Sequence, residues 1–449
     1  MRYHARWVLP ITQPPIENGT VVERDGRITY VGPRANAPAG DDYDLGDAIL
    51  LPGLVNSHTH LELTAMRGFL EELDFADWID KLRQSRNEIL QSPILLDSAR
   101  LGILEGIEAG ITTFADTCSS GVAIEAMREL GVRGIMYQET FGPDPAACDA
   151  AIQALETLLD TFTPQQTDLV KLGVSPHAPY TVSDSLYKST AKLARDRKLP
   201  LAMHIAESSA EEDIVVRGTG PFADRWRKRG IEVKKRARSP IALLEMQDVL
   251  QPGSLLIHCV RVDEDDIKTI ARRGCSVAHC PASNAKFGHG VAPLLPMIAA
   301  GILVGIGSDS VASNNRMDIL DEARLAVLTH RAATRRHDAF GAHQALALAT
   351  IGGAQALGID DKVGSLEVGK DADLSAFKLD IARTTPLGDP YSAAIFALPG
   401  RSAELVTVKG KVLVEHGTAR ASDPKLTQRI REAGTALAKW SATKASRPV

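Results

Sequence analysis

Between residues 54 and 308 the chain alternates eight times between a short run rich in Val, Ile and Leu and a longer segment of helical spacing. The runs fall at 54–60, 112–116, 134–139, 170–175, 201–205, 254–259, 276–279 and 303–308, with helical patterns between them, as at 75–90, 95–109, 183–196 and 263–272. Strands covered on both faces read as continuous apolar runs, and their alternation with helices implies a parallel sheet. Eight units predict an α/β fold, a distorted (β/α)8 TIM-type barrel, with its chemistry at the C-terminal ends of the strands.

The flanking segments predict a second, smaller unit. Residues 1–52 read as strands at 5–9, 19–24, 28–31 and 48–51, punctuated by Asn18-Gly19 and by Asp25-Gly26, a hairpin signal. Strand patterns return at 370–378 and 403–415, with a turn at Lys409-Gly410. A few short strands bury too little alone. Residues 1–52 and 366–449 are therefore expected to share one small β-sandwich, with 53–365 inserted as the barrel. Leu426, Ile430, Ala433, Leu437 and Trp440 form a stripe at helical spacing, a packing or homodimer element. Lys234-Lys235-Arg236-Ala237-Arg238 reads as a solvated face rather than a phosphate site.

Polar side chains gather where a barrel would use them. The first strand ends in His58-Thr59-His60, and alternate residues of a strand share a face. His177 follows the fourth strand, His204, His258 and His279 end the fifth to seventh, and Asp309 follows the eighth. Imidazole suits zinc, iron, copper or nickel. A catalytic zinc keeps about three protein ligands and one open position. His58, His60, His204 and Asp309 are the expected shell of one divalent metal per chain, zinc by default and Fe2+ as the alternative. Water on such a metal loses a proton at pH ~7. Glu207, three residues past His204, is the expected proton shuttle. His258 is expected to hydrogen-bond the nucleophile or the attacked region, and Asp309 both to ligate and to orient.

Composition removes other classes. A net charge of −5 offers no footprint for nucleic acid. Five cysteines with no Cys-x-x-Cys fit reduced thiols rather than a disulfide framework. No run reaches the ~18 apolar residues of a membrane span, and the N-terminus lacks the pattern of a secretory signal. A cytoplasmic chain acting on a small molecule is expected. The Pro-Cys-x-x-Cys that zinc deaminases acting on nucleic-acid bases pair with His-x-Glu is missing.

The motifs together resemble the amidohydrolase superfamily, in its deaminase and chlorohydrolase branch. The resemblance runs from Asn18-Gly19 through Pro52-Gly53-Leu54-Val55-Asn56-Ser57-His58-Thr59-His60 to Gly369-Lys370-Asp371-Ala372-Asp373-Leu374. It includes Ser175-Pro176-His177-Ala178-Pro179-Tyr180, His204-Ile205-Ala206-Glu207, Ala278-His279-Cys280-Pro281-Ala282-Ser283-Asn284 and Gly307-Ser308-Asp309. It implies a mononuclear metal and hydrolytic displacement at an sp² carbon of an amino-substituted heterocycle, usually releasing ammonia. Binuclear relatives carry a lysine at the end of strand four, whereas Lys171 lies near that strand's beginning. The His177 and Ser283-Asn284 segments are similar to those of deaminases of methylthioadenosine and S-adenosylhomocysteine. By that likeness Trp78 would stack on a purine, with His177, Glu139, His279 and Asn284 contacting the substrate. Relatives that bind the homocysteine tail tend to show arginine after strand three, where this chain reads Tyr137-Gln138-Glu139-Thr140-Phe141-Gly142. That departure favours aminodeoxyfutalosine within the class. A guanine deaminase or chlorotriazine hydrolase is the alternative, and a non-catalytic, metal-stabilised assembly protein the alternative of another kind.

Overall fold

A computed structural model describes residues 1–421 and 423–445. The chain's architecture is a (β/α)8 barrel with a sheet built from both termini. The barrel strands are Leu54–Thr59, Ile111–Cys118, Arg133–Thr140 and Val170–Pro176, then Ala202–Ile205, Leu255–His258, Ser276–His279 and Val304–Ile306. They form two four-stranded parallel sheets. Single bridges, Val174 to Leu201 and Thr59 to Asp309, join the sheets edge to edge. Those thin seams are the distortion of the barrel, and one of them runs through a predicted metal ligand.

Strand ends differ from the sequence-based expectation by a residue or two. The first four strands are long and the last four short, because the second half leaves the sheet early to place polar groups at the mouth. Val55, Ala115, Ile135, Ala202, Leu255, Ile257 and Ala278 fill the barrel interior. The eighth strand passes very close to the first: a Cβ on Gly305 would lie 2.0 Å from the Ser57 Oγ, and one on Gly307 2.9 Å from the His58 Cβ. Only glycine permits this approach, which brings Asp309 beside His58.

The N-terminal strands Arg2–Val8, Ile16–Arg24, Arg27–Pro33, Asp42–Asp44 and Ala48–Pro52 combine with Leu374–Lys378, Leu405–Val408, Lys411–Glu415 and Thr418–Ala419 in one nine-stranded sheet. The two ends of the chain meet where Ala48–Pro52 pairs antiparallel with Leu374–Lys378. A bridge from Arg27 to Asp371 curls the sheet over its own apolar core of Tyr3, Val21, Ile28, Leu50 and Leu374. Sheet and barrel are welded by a buried cluster. Arg133, at the start of the third barrel strand, donates to Asp373 at 2.9 Å and to Asp371 at 2.8 Å.

The last helix, Pro424–Ala445, lays Ala433 and Leu437 among Leu63, Met66 and Leu95 of the same chain. The apolar stripe is thus used internally, against barrel helices rather than the terminal sheet. The basic run is also divided. Lys234 is 70% exposed, but the Arg236 side chain is 5% exposed, paired with Asp184 at 2.5 Å and donating to the carbonyls of Pro179 and Val182. Three acceptors converge on that guanidinium, so it closes the loop after strand five instead of facing solvent.

Candidate active site

The predicted ligands converge at the C-terminal mouth. The pairing of strands one and two slips between Asn56 and Thr59, an irregularity of the kind that re-aims side chains. The His58 Nε2 lies 3.2 Å from the Asp309 Oδ1, and the His60 Nε2 3.5 Å from the same oxygen. The His60 and His204 Nε2 atoms are 3.1 Å apart. Two imidazole nitrogens at that distance repel unless a proton or a cation lies between them. The other ring nitrogens are engaged: His204 Nδ1 with the His177 carbonyl at 3.3 Å, and His258 Nδ1 with the Asn284 Oδ1 at 3.0 Å. Because both partners are acceptors, each Nδ1 carries its hydrogen and leaves the Nε2 lone pair for a metal.

Electrostatics favour the same use. Burial, working against the Asp309 hydrogen bond, pushes His58 down to about 4, and burial lowers His60 and His204 as well, which favours the neutral form that a metal ligand takes. Burial raises the Asp309 carboxyl, but the His58 hydrogen bond and the fields of His258, His58 and His60 outweigh it and hold it well below the usual range. Donor atoms of His58, His204, His258 and Asp309 all lie within 4.8 Å of one another. Three imidazoles and a carboxylate fit a divalent ion of borderline softness. That mutual cluster takes in three of the four predicted ligands and adds His258, while His60 joins it through His204 at 3.1 Å and Asp309 at 3.5 Å.

His258 and Asp309 reach the mouth through strained backbone. Their φ angles are +77° and +56°, and Ala206, between His204 and Glu207, has +53°. Non-glycine residues pay roughly 1–3 kcal/mol for such conformations, which concentrate at functional sites. Glu207 is held from behind: its N–H donates to the Glu211 Oε2 at 2.9 Å, and the Ala206 N–H donates to the Glu211 Oε1 at 2.7 Å. Burial pushes Glu211 up to about 8. The cap of the next short helix is Ser208, not Glu207. The Glu207 Oε1 therefore points inward, 3.6 Å from the His258 Nε2 and 3.5 Å from the His289 Nε2.

A cavity of about 380 Å³ opens over these groups, lined among others by His60, His204, Glu207, His258 and Asp309. Trp78, Glu139 and His177 line it as well. Trp78 is also packed edge-on to Phe287, ring centroids 5.2 Å apart. Glu139 is buried, with Oε1 unpartnered, and burial followed by the Glu62 charge pushes it up to about 8. His279 and Asn284, predicted to contact substrate, are not on the wall. Ala278 faces the barrel interior, so alternation turns His279 outward, 5.3 Å from His330. Asn284 reaches the cavity only through His258.

Several site residues have no signal in strand-end patterns. His289 arrives on a loop between Gly288 and Gly290, both at positive φ, with its ring stacked on Phe287. Ser283 and Ser313 donate to the Asp309 Oδ2 at 2.5 and 3.0 Å. Glu62 is buried and accepts from Arg86 at 3.0 Å, from Ser119 Oγ at 2.8 Å and from Ser120 Oγ.

Fold, donor cluster and cavity define a metal-dependent hydrolase barrel, and comparison with known proteins supplies the family. Residues 49–413 match the model of the amidohydrolase family, and the chain belongs to that family. It is similar to a 5-methylthioadenosine/S-adenosylhomocysteine deaminase of Moorella thermoacetica, with 32% identity over 93% of this chain and 94% of the relative. Among solved structures it is similar to a zinc-bound adenosine deaminase of Xanthomonas campestris, with a TM-score of 0.86, 28% identity and 98% of each chain covered. A zinc complex of atrazine chlorohydrolase from Arthrobacter aurescens gives 0.81 and 26%, over 97% of this chain and 99% of that one.

Proposed function

We propose that this chain is a hydrolytic deaminase that converts the 6-amino group of an adenine nucleoside to a 6-oxo group and releases ammonia. The observation that carries the reading is the placement of Glu207, buried in the same cavity as the four-donor cluster and 3.6 Å from the His258 Nε2. Similarity to deaminases over more than nine-tenths of the chain supports the substrate class. His58, His60, His204 and Asp309 would hold the metal, with zinc favoured by the zinc-bound structural relatives. A divalent metal at that position supplies Lewis acidity that makes water nucleophilic at neutral pH.

The chain's own residues would do the rest. Glu207 would accept one proton of the attacking water and pass it to the purine ring nitrogen, then take the second proton from the added hydroxyl and deliver it to the amine as the carbon–nitrogen bond breaks and ammonia leaves. The Glu211 clamp on its backbone keeps the carboxylate aimed into the cavity. His258, fixed by Asn284, presents Nε2 to the attacked carbon's substituents. Trp78 offers a face for the purine, and Glu139 and His177 border the space left for the sugar. Aminodeoxyfutalosine, methylthioadenosine and S-adenosylhomocysteine are the substrates of this type, the first favoured by the residues after strand three.

Ammonia release by the purified, zinc-loaded protein tests the reading. The panel holds adenosine, methylthioadenosine, S-adenosylhomocysteine, aminodeoxyfutalosine, guanine and a chlorotriazine. Turnover of an adenine nucleoside that is lost in Glu207→Gln, with metal content and melting temperature retained, is the expected result. Turnover of guanine or the chlorotriazine alone would replace the substrate class.

A further inference from the structure

The cavity continues past the donor cluster along one face of the helix Phe75–Ile89. From Trp78 through Leu82 to Arg83, Arg86 and Asn87, wall residues recur at the three- and four-residue spacing of a single helical stripe. The stripe changes character along its length. Its first turns are aromatic and aliphatic, and its last two carry guanidinium groups, ~7–12 Å further along the axis from Trp78 at 1.5 Å per residue. Phe141, 44% exposed, also lines this outer part, its ring 5.0 Å from that of His177.

The two arginines differ in how far they are satisfied. Arg86 donates one Nη2 hydrogen bond to Glu62, and its Nε is buried without a partner. Glu62 is already crowded by Ser119 and Ser120, so it balances Arg86 and nothing more. Arg83, one turn earlier and exposed at the cavity mouth, has neither a hydrogen bond nor an ion pair among the described residues. The mouth therefore holds one uncompensated positive charge at the end of an apolar channel. Glu139 sits deeper, within 4.8 Å of donor atoms of His177 and His204, and does not cancel that charge.

We infer that the substrate's 5′ substituent is an apolar spacer ending in a carboxylate, and that Arg83 captures the carboxylate. The planar fork of a guanidinium matches a carboxylate in two parallel hydrogen bonds. An apolar stretch before the cationic end argues against a phosphate placed directly on the ribose. The inference rests on the adenine-nucleoside reading and adds to it which nucleosides are preferred.

Steady-state deamination by the zinc-loaded protein tests this with two groups of probes. Methylthioadenosine and 5′-deoxyadenosine carry neutral tails, S-adenosylhomocysteine and aminodeoxyfutalosine carry carboxylates, and adenosine 5′-monophosphate is the phosphate control. Wild type is expected to favour at least one carboxylate nucleoside over the neutral ones by about tenfold or more in kcat/KM, the scale of one charge-assisted contact. In Arg83→Gln that ratio falls by about the same factor through KM, Arg83→Lys recovers part of it, and Arg83→Glu lowers it further. Arg83 lies on an exposed helix position, so these variants fold. A ratio that stays within about twofold of wild type in both Gln and Glu variants, or a preference for the phosphate or the neutral tails, overturns the inference while leaving the deaminase standing. No turnover of any adenine nucleoside overturns both.

Discussion

The proposed metal site depends on a hydrogen bond that can be removed without touching a proposed ligand. Asp309 directs Oδ1 toward His58 and His60, while Oδ2 accepts from Ser283 at 2.5 Å and from Ser313 at 3.0 Å. The two serines are not equivalent. Ser313 Oγ also lies 2.9 Å from the Ser310 carbonyl, and its single proton cannot serve both acceptors. Ser283 is buried and has Asp309 as its hydroxyl's partner. A hydrogen bond to a charged acceptor contributes about 1.5–3 kcal/mol. If the bond forms only when the carboxylate is in its ligating orientation, Ser283→Ala weakens metal binding by about ten- to a hundredfold, the usual range for partners of metal ligands. Competition with a fluorescent zinc chelator at fixed pH measures the dissociation constant, and elemental analysis fixes the stoichiometry, expected at one per chain. Ser283→Ala/Ser313→Ala should bind more weakly still, and Asp309→Asn most weakly. A zinc affinity within about twofold of wild type in the double variant would refute the reasoning, because Asp309 would then be either oriented by other groups or not a ligand.

Two further predictions concern how the parts are held together. Arg133→Met leaves Asp373 buried without its cation and Asp371 with only Arg27, 3.7 Å away, a loss of about 3–5 kcal/mol for a broken interior pair. An unfolding entropy of ~2.1 cal/mol/K per residue over 449 residues turns this into a fall in Tm of about 3–5 °C by calorimetry, and Arg133→Met/Asp371→Asn/Asp373→Asn should recover part of it. The terminal helix should loosen in acid. Hydrogen bonds from Arg429 and then Arg100 hold the Asp97 carboxyl below its ordinary 3.8 despite partial burial. The folded chain thus binds fewer protons there than the unfolded one, so the contribution is complete above that value and is lost as pH falls through the lower, folded one. Hydrogen exchange in residues 424–445 should rise below about pH 4, and Arg429→Gln should exchange faster already at neutral pH with a smaller acid increment.

The barrel was legible because its strands are covered on both faces: the apolar runs have no alternation to misread, and their order places the polar residues that end them on one rim. The same logic fails where the face matters. His279 ends a strand as His204 does, yet Ala278 takes the interior position and sends His279 against His330. His258 follows Ile257, an interior residue, and by alternation would also point outward; only its left-handed φ of +77° turns it over the mouth. Such a backbone conformation in a non-glycine residue is imposed by surrounding packing and leaves no local mark. His289 is illegible for a related reason, since it is delivered by a loop whose course depends on two glycines and on an aromatic shelf contributed by Phe75 and Phe287.

Arg236 and the Arg83–Arg86 pair show a different kind of gap. In sequence, Arg236 belongs to a run of basic residues, and charge alone does not say which of them faces inward. Three acceptors fixed by the loop after strand four decide it. Arg83 and Arg86 did carry a signal. They continue the apolar face of Phe75, Trp78, Ile79 and Leu82 without a break in helical phase. A stripe that packs against a core ends when the core ends, and its charged residues fall on the opposite face. When the charge instead appears on the same face, the surface it meets has to contain either a buried partner or a ligand. Glu62 answers for Arg86; nothing within the described chain answers for Arg83, and the phase of one helix is therefore enough to mark a wall that looks onto substrate rather than onto protein.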